Sequence, residues 1–287
     1  MSSTPEAVLP PAPTGGGEHQ GRVVLVVGGG KGMGRAVAEA FALRGARVAV
    51  ADTNTLPSAY NQYRAQKVDG FTAATALAEE LTARGLDVTA LEANAADEDS
   101  VRALLAEVER VYGRLDTVVN AFGVTHVCPV EQMELTEFNR VVEGNLNGVF
   151  LVSKHALKLL RADGGGSIVN FSSVSGRSGF AKVAHYCAAK FGVIGFTAAL
   201  ALEEAKNGVR VNAVCPGMIR TAMWDYLLDE FTRPGETRDE CWERMRMMIP
   251  QREFQQPEDI AETVLHLAAA RRVTGQAISV DGGMSAP

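Results

Sequence analysis

Seven short runs of apolar, largely β-branched residues, alternating with longer stretches of helical periodicity, narrow the folds open to this chain more than any other feature. The runs are Val23–Val27, Arg47–Ala51, Val88–Leu91, Thr117–Asn120, Ser167–Phe171, Val209–Val214 and Ala277–Val280. Between them Arg35–Arg44, Ala73–Arg84, Ser100–Tyr112, Thr136–Leu160 and Tyr186–Lys206 carry apolar residues at helical spacing. Strand and helix in alternation imply an α/β fold: a doubly wound parallel sheet with helices on both faces. The runs are apolar throughout, as strands buried on both sides must be. No repeat or change of composition interrupts the pattern, so 21–287 reads as one domain. The Pro-, Gly- and Ser-rich stretch 1–20 has no periodicity and reads as a flexible tail.

A chain of 287 residues, 46% hydrophobic and 22% charged, is large enough for a real core. The net charge of −6 offers no general attraction to a phosphate backbone, and 6% aromatic residues make a poor base-stacking surface. Nucleic acid is therefore not an expected partner. The four cysteines, at 128, 187, 215 and 241, have neither metal-knuckle nor disulfide spacing and suit a reducing compartment. The longest apolar run, near Phe191–Leu202, is short for a bilayer, and the N-terminus lacks the pattern of a signal peptide. A cytoplasmic location with no membrane partner is expected.

The first strand leads into "VVLVVGGGKGMGRAVAEAF", Val23–Phe41, where Gly28, Gly29, Gly30, Gly32 and Gly34 crowd the first strand–helix junction. Such a turn lets the backbone approach a ligand, and the following helix N-terminus offers free N–H groups to a pyrophosphate. The spacing is Gly28-x-x-x-Gly32-x-Gly34, and glycine turns also occur at such junctions for structural reasons alone. Asp52, ending "VAVAD", sharpens the cofactor reading. Its carboxylate suits a ribose 2′-hydroxyl and repels a 2′-phosphate, although Asp also favours turns. Lys31 in the turn pulls towards a phosphorylated cofactor. An anion beside the 2′ position acts directly against a second anion, so NAD is expected over NADP.

"SIVNFSSVSG" from Ser167 and "HYCAAKFG" from His185 carry the chemistry. Tyr186 and Lys190 are four apart on a predicted helix and share a face. A phenol ordinarily ionises near pH 10, and a neighbouring ammonium is expected to lower that value. Ser173, at a strand end, can hold a carbonyl or hydroxyl oxygen. Tyrosine exchanging a proton while nicotinamide exchanges a hydride is alcohol–ketone chemistry.

In these motifs and their order the chain resembles the short-chain dehydrogenase/reductase family from Gly21 to Gly283. "GGGKGMG" stands at the family's T-G-x-x-x-G-x-G turn, "NAFG" (Asn120–Gly123) at its N-[NA]-A-G motif and "YCAAK" at its Y-x-x-x-K. "NLNG" supplies Asn145, "SS" supplies Ser173, and "VNAVCPG" and "VDGG" close the pattern. The resemblance implies a Rossmann-type fold and a catalytic set of Asn145, Ser173, Tyr186 and Lys190, with Asn145 holding a water in a proton relay and Lys190 binding the nicotinamide ribose. It implies cofactor contacts from Gly28, Lys31, Gly32, Met33 and Gly34, from Asp52 and Thr53, and from Asn94 and Ala95. Asn120, Ala121, Phe122, Gly123, Tyr186, Lys190, Pro216, Gly217, Ile219 and Thr221 complete that set. Three residues depart from the family pattern: Val27 for Thr or Ser, Asn94 for Asp, and Phe122 for a small residue. None removes a catalytic group.

Other chemistries lack their residues. There is no G-x-S-x-G elbow for a serine hydrolase and no His/Cys cluster for a zinc alcohol dehydrogenase; His126 and His155 read as surface or satisfied residues, and no metal is expected. The alternative from another class is a non-catalytic dinucleotide-binding regulator on the same fold, which has no need of the four catalytic residues together. The long segment 218–250 reads as a lid over a small-molecule alcohol or ketone, with Met223, Trp224, Tyr226, Leu227 and Phe231 either lining a pocket or simply packing a helix. The 53–70 segment, with Leu56, Tyr60 and Tyr63, resembles insertions that cover the adenosine half of the cofactor in part of the family. The apolar "FGVIGFTAALAL" needs cover on every side, and in the family this helix pair forms a four-helix interface, so a homo-oligomer, tetramer or dimer, is expected.

Overall fold

Val23, Leu25 and Val27 pack into one cluster of buried residues, while Val24 and Val26 pack into another on the opposite side. A strand whose alternate side chains both meet apolar layers belongs at the centre of a sheet. In the computed structural model, which describes residues 17–55 and 69–286, this strand, β1 (Val23–Val27), sits in a seven-stranded sheet between β2 (Arg47–Asp52) and β4 (Thr117–Asn120). β3 (Val88–Glu92) lies outside β2. Beyond β4 follow β5 (Ser167–Phe171), β6 (Arg210–Pro216) and β7 (Ala277–Val280), giving the order β3-β2-β1-β4-β5-β6-β7. Every pairing is parallel, with Val27 aligned to Ala51 on one side and Asn120 on the other.

Helices α1 (Gly32–Leu43), α2 (Gly70–Ala83) and α9 (Pro257–Ala269) cover one face; α3 (Glu98–Tyr112), α5 (Gly148–Ala162) and α6 (Ala184–Glu204) cover the other. A short α4 (Leu135–Val142) precedes α5. Thr136–Leu160, which reads in sequence as one helix, is interrupted by a π-helical turn at Glu143–Asn147. α6 with its following turn, Ala184–Asn207, is long enough to cross a bilayer, with mean hydropathy 1.3. His185, Lys190 and Glu204 are buried along it, as befits a core helix against the sheet.

Helices α7 (Ala222–Phe231) and α8 (Arg238–Arg246) gather a third, smaller core around Met218, Leu228, Cys241, Met245 and Ile249. At the N-terminus, Gly17–Gln20 lie within the expected tail but form a hydrogen-bonded turn. His19 is buried with its ring edge-on to Phe41 at 4.8 Å. The candidate cofactor-covering loop lies largely outside the described residues, at 56–68. Its two ends are tied together: Asn54 Oδ1 accepts from the Thr72 amide and Asn54 Nδ2 donates to Thr72 Oγ1, both at 3.0 Å.

Candidate active site

In an open parallel sheet, ligands bind beyond the carboxyl ends of the strands where strand order reverses. Here that point lies between β1 and β4, and the glycine turn and "NAFG" follow those two strands directly. Gly28 turns at φ +78°, and a Cβ on Gly34 would lie 2.0 Å from the Gly28 carbonyl, so the turn folds tightly onto the start of α1. The first turn of α1 holds no acidic residue, and its Lys31 N-cap makes no side-chain capping bond. Its amides and positive dipole end are therefore unopposed by carboxylates of that turn. Met33 packs back on the core. Across the gap from Gly32 stands Thr221, whose Cγ2 lies 3.5 Å from where a Gly32 Cβ would be; Thr221 likewise makes no capping bond with α7.

Asp52 Oδ2 accepts from the Gly30 amide at 2.9 Å and Oδ1 from the Thr53 amide at 2.8 Å. Burial pushes this carboxyl up, against the pull of those two bonds. Each oxygen keeps a second lone pair for a further donor. Lys31 is ion-paired with Asp69 at the far end of the insertion. Asn94 Oδ1 accepts from the Ala96 amide at 3.0 Å, so the Asn that departs from the family's Asp braces its own turn. Asn120 donates to Asn170 Oδ1 at 2.8 Å and to Ser153 at 3.4 Å, bridging β4 to β5 inside the core. Ala121 takes a bond from its amide to the Val27 carbonyl at 2.9 Å. The ring of Phe122 leans on Gly148, where a Cβ would meet it at 2.8 Å beside the Ala95 carbonyl. Gly217 bonds to the Val280 carbonyl at 3.0 Å after Pro216, and Ile219 is buried and bridges to Gln255.

The four expected catalytic residues come from three elements: Ser173 from the end of β5, Asn145 from the π-helical turn, Tyr186 and Lys190 from α6. Ser173 lies close enough to Tyr186 to pull its phenol down, and its Oγ accepts from the Ser175 amide at 3.1 Å. Lys190 Nζ donates to the Phe171 carbonyl at 2.9 Å and lies 5.5 Å from the centre of the Tyr186 ring. Burial pushes the Tyr186 phenol up to about 12, Ser173 pulling the other way, and brings the Lys190 ammonium down to about 8. The direction is opposite to the lowering expected from an ammonium neighbour, because burial is the largest influence on the phenol. Asn145 Nδ2 donates to the Val124 and Val141 carbonyls, each at 2.7 Å, while its buried Oδ1 has no partner. That oxygen and Lys190 Nζ converge on Gly123, where a Cβ would lie 2.5 Å from the first and 3.2 Å from the second. The combination of glycine cradle, open helix end and orphaned Asn145 oxygen fits a dinucleotide with a polar relay behind it.

Two contributors lie outside the expected site residues. Ser172 Oγ donates to the Lys190 carbonyl at 2.8 Å and fixes α6 against β5; the pair "SS" was the available signal. The Phe171 carbonyl that holds Lys190 is backbone and leaves no side-chain trace. Of the five lid candidates, Trp224 and Phe231 pack in the third core, with Trp224 and Trp242 rings 6.0 Å apart. Tyr226 instead reaches the loop after β4, where its hydroxyl accepts from the Val127 amide at 3.2 Å. Met223 and Leu227 are half-buried.

Known proteins share this arrangement. Residues 28–285 match the family model described as Enoyl-(Acyl carrier protein) reductase. The chain is 41% identical over 213 residues to the 3-oxoacyl-(acyl-carrier-protein) reductase FabG of Staphylococcus aureus, covering 74% of this chain and 82% of that one. It is 38% identical over 266 residues to the 3-oxoacyl-(acyl-carrier-protein) reductase of Synechocystis sp., covering 92% and 96%. A crystal structure of actinorhodin polyketide ketoreductase with NADPH superposes with a TM-score of 0.84 at 32% identity, covering 93% and 98%. With the seven-stranded parallel sheet and the site at its carboxyl edge, these matches identify the chain as a member of the short-chain dehydrogenase/reductase family, an oxidoreductase whose fold serves a nicotinamide cofactor.

Proposed function

We propose that this enzyme is a ketoreductase that interconverts a ketone and a secondary alcohol with NAD(H), Tyr186 passing the proton. The observation that carries the reading is the placement of Ser173, just after β5, beside the buried Tyr186 phenol, which it pulls down against the effect of burial. Two hydroxyls on one side of the cleft make a cradle for a carbonyl oxygen. A phenol pushed up to about 12 is protonated at neutral pH and ready to donate to that oxygen as negative charge develops. When bound, the nicotinamide supplies or accepts the hydride. The turn from Gly28 to Gly34 and the N-terminus of α1 would hold the pyrophosphate, and Asn94, Ala95 and the segment Asn120–Gly123 would border the adenosine half. Lys190, Pro216, Gly217, Ile219 and Thr221 would hold the nicotinamide end. Lys190 Nζ and Asn145 Oδ1 converge on Gly123, where a water would pass protons between Tyr186 and solvent.

NAD is favoured by Asp52. A 2′-phosphate would face a carboxylate fixed by two backbone amides, and Lys31, the nearby cation, is already paired with Asp69. Two relatives named as 3-oxoacyl-(acyl-carrier-protein) reductases make 3-oxoacyl thioesters the first substrate class to test. A cytoplasmic location accords with four free cysteines, the segment 218–250 serves as the substrate lid, and the active form is a homo-oligomer.

The experiment is a steady-state comparison with NADH and NADPH on a 3-oxoacyl thioester and a panel of simple ketones. The wild type is expected to show the higher kcat/KM with NADH on at least one of these. Tyr186→Phe should lose about 10²–10⁴-fold in kcat while still binding cofactor. Asp52→Asn should narrow the gap between cofactors. A higher kcat/KM with NADPH would overturn the cofactor assignment, and near-native turnover in Tyr186→Phe the mechanism.

A further inference from the structure

Behind the catalytic helix the loop after β4, the first turn of α4 and the first turn of α6 bring together His126, Glu137 and His185. Their ligand-capable atoms all lie within 4.8 Å of one another. His185 is fully buried, and its Nε2 has no hydrogen-bond partner. His126 Nδ1 is in ion-pair contact with Glu137 Oε1 but makes no hydrogen bond either. A fully buried imidazole nitrogen without a partner, His185 Nε2, beside a His126–Glu137 ion pair is unusual, because buried polar atoms are ordinarily satisfied. The two rings stand edge to face, 6.4 Å between centres.

We propose that His126, Glu137 and His185 form a binding site for one zinc-class divalent cation, separate from the cofactor cleft. Two imidazoles and a carboxylate form a ligand set typical of zinc and leave a fourth position open to water. His185 Nδ1 accepts from the Tyr186 amide at 3.0 Å, and the Val183 carbonyl also lies within hydrogen-bonding reach of the ring. Cation binding at Nε2 displaces the ring proton to Nδ1, which gives up the bond from the Tyr186 amide and turns its proton toward the Val183 carbonyl. Cys128 borders the cluster beside Glu137, and its amide ties the loop to the Lys182 carbonyl at 2.8 Å, just ahead of α6.

The cation would cross-link three elements, the loop after β4, α4 and α6, beyond the backbone bond from Cys128 to Lys182. His126 and Cys128 flank Val127, whose amide holds the Tyr226 hydroxyl of the lid helix α7. A metal here therefore fixes the loop on which the lid rests. Its role is structural, and it takes no part in the proton or hydride steps.

The test uses untagged full-length protein, stripped with a chelator, dialysed and titrated with Zn²⁺ and with Co²⁺ as a spectroscopic probe. We expect about one equivalent of either metal to bind, Co²⁺ with visible absorption from nitrogen and oxygen ligation, and Zn²⁺ to raise the melting temperature. His126→Ala and Glu137→Gln should each weaken Zn²⁺ binding at least about tenfold. Far-UV circular dichroism checks their folding, and Glu137→Gln, which keeps the side chain's shape, decides the matter if the alanine variant misfolds. Absence of binding to the wild type at about 100 μM free Zn²⁺, or unchanged affinity in a folded Glu137→Gln, would overturn the proposal and leave a metal-free His–Glu–His cluster.

Discussion

Lys190 and Tyr186 lie one helical turn apart, and burial acts on them in opposite directions, holding the phenol at about 12 and the ammonium at about 8. In the free enzyme at neutral pH both therefore carry their protons. Lys190 is the group that titrates first as pH rises. The kcat/KM for the cofactor, which reports free-enzyme ionisations, is expected to fall above about pH 8, and in Lys190→Arg that limb should move beyond the accessible range at reduced activity. Stability moves the other way. An unfolded lysine keeps its proton to about 10.5 while the folded one loses it near 8, so the unfolded chain binds more protons between those values and stability from this group rises with pH across that window. The four candidate catalytic residues are legible in the sequence as spaced letters. The direction of the phenol shift is not, because desolvation depends on what the surrounding chain excludes, whereas the sequence displays only the nearby charge.

Helices differ in how much of their own geometry they encode. α3 is self-announcing: Asp97 Oδ1 caps it by accepting from the Ser100 amide at 2.9 Å, Glu98 and Asp99 fill its first turn, and Gly113 at φ +72° ends it. The break between α4 and α5 has no such signal. Nothing in "VVEGNLNGVF" dictates a π-helical turn; the close approach of neighbours does, with Gly144 against Val124 and Gly148 against Phe122. Gly148→Ala weighs the two influences. Helix propensity alone favours alanine by about 0.5–1 kcal/mol. A Cβ 2.8 Å from the Phe122 ring and 3.2 Å from the Ala95 carbonyl brings an overpacking cost of about 1–3 kcal/mol. The larger effect wins, so the variant should unfold at lower denaturant concentration, with weaker cofactor binding because Phe122 borders the cleft.

Across the whole molecule, the alternation of runs prescribed a two-sided parallel sheet, and the sheet has it. The burial of His19 in a Pro- and Gly-rich segment is not legible in composition, which shows neither its ring contact with Phe41 nor the bond from the Gly21 amide to the Gly45 carbonyl. Large apolar side chains remain bare along α5 and α6: Phe150 at 44%, Phe191 at 48% and Leu202 at 82% exposure. Phe150 packs edge-on against Phe196 of the neighbouring helix at 6.2 Å, so the two helices present one continuous surface. The proposed homo-oligomer would cover this apolar face. Light scattering at micromolar concentration should give a tetramer or dimer, and Phe150→Asp a smaller species; a monomeric wild type would exclude the assembly. The sheet order carries one further consequence, for synthesis. β1 is the first strand made, yet its neighbour β4 is joined to it across a long stretch of chain; the Val23 amide reaches Asp116 Oδ2 over 93 positions. Closing so long a loop is slow compared with forming a hairpin. A chain emerging from the ribosome therefore displays its glycine turn well before the opposite wall of the cleft exists. Nucleotide capture becomes a late event in maturation, available only to chains whose two halves have already met.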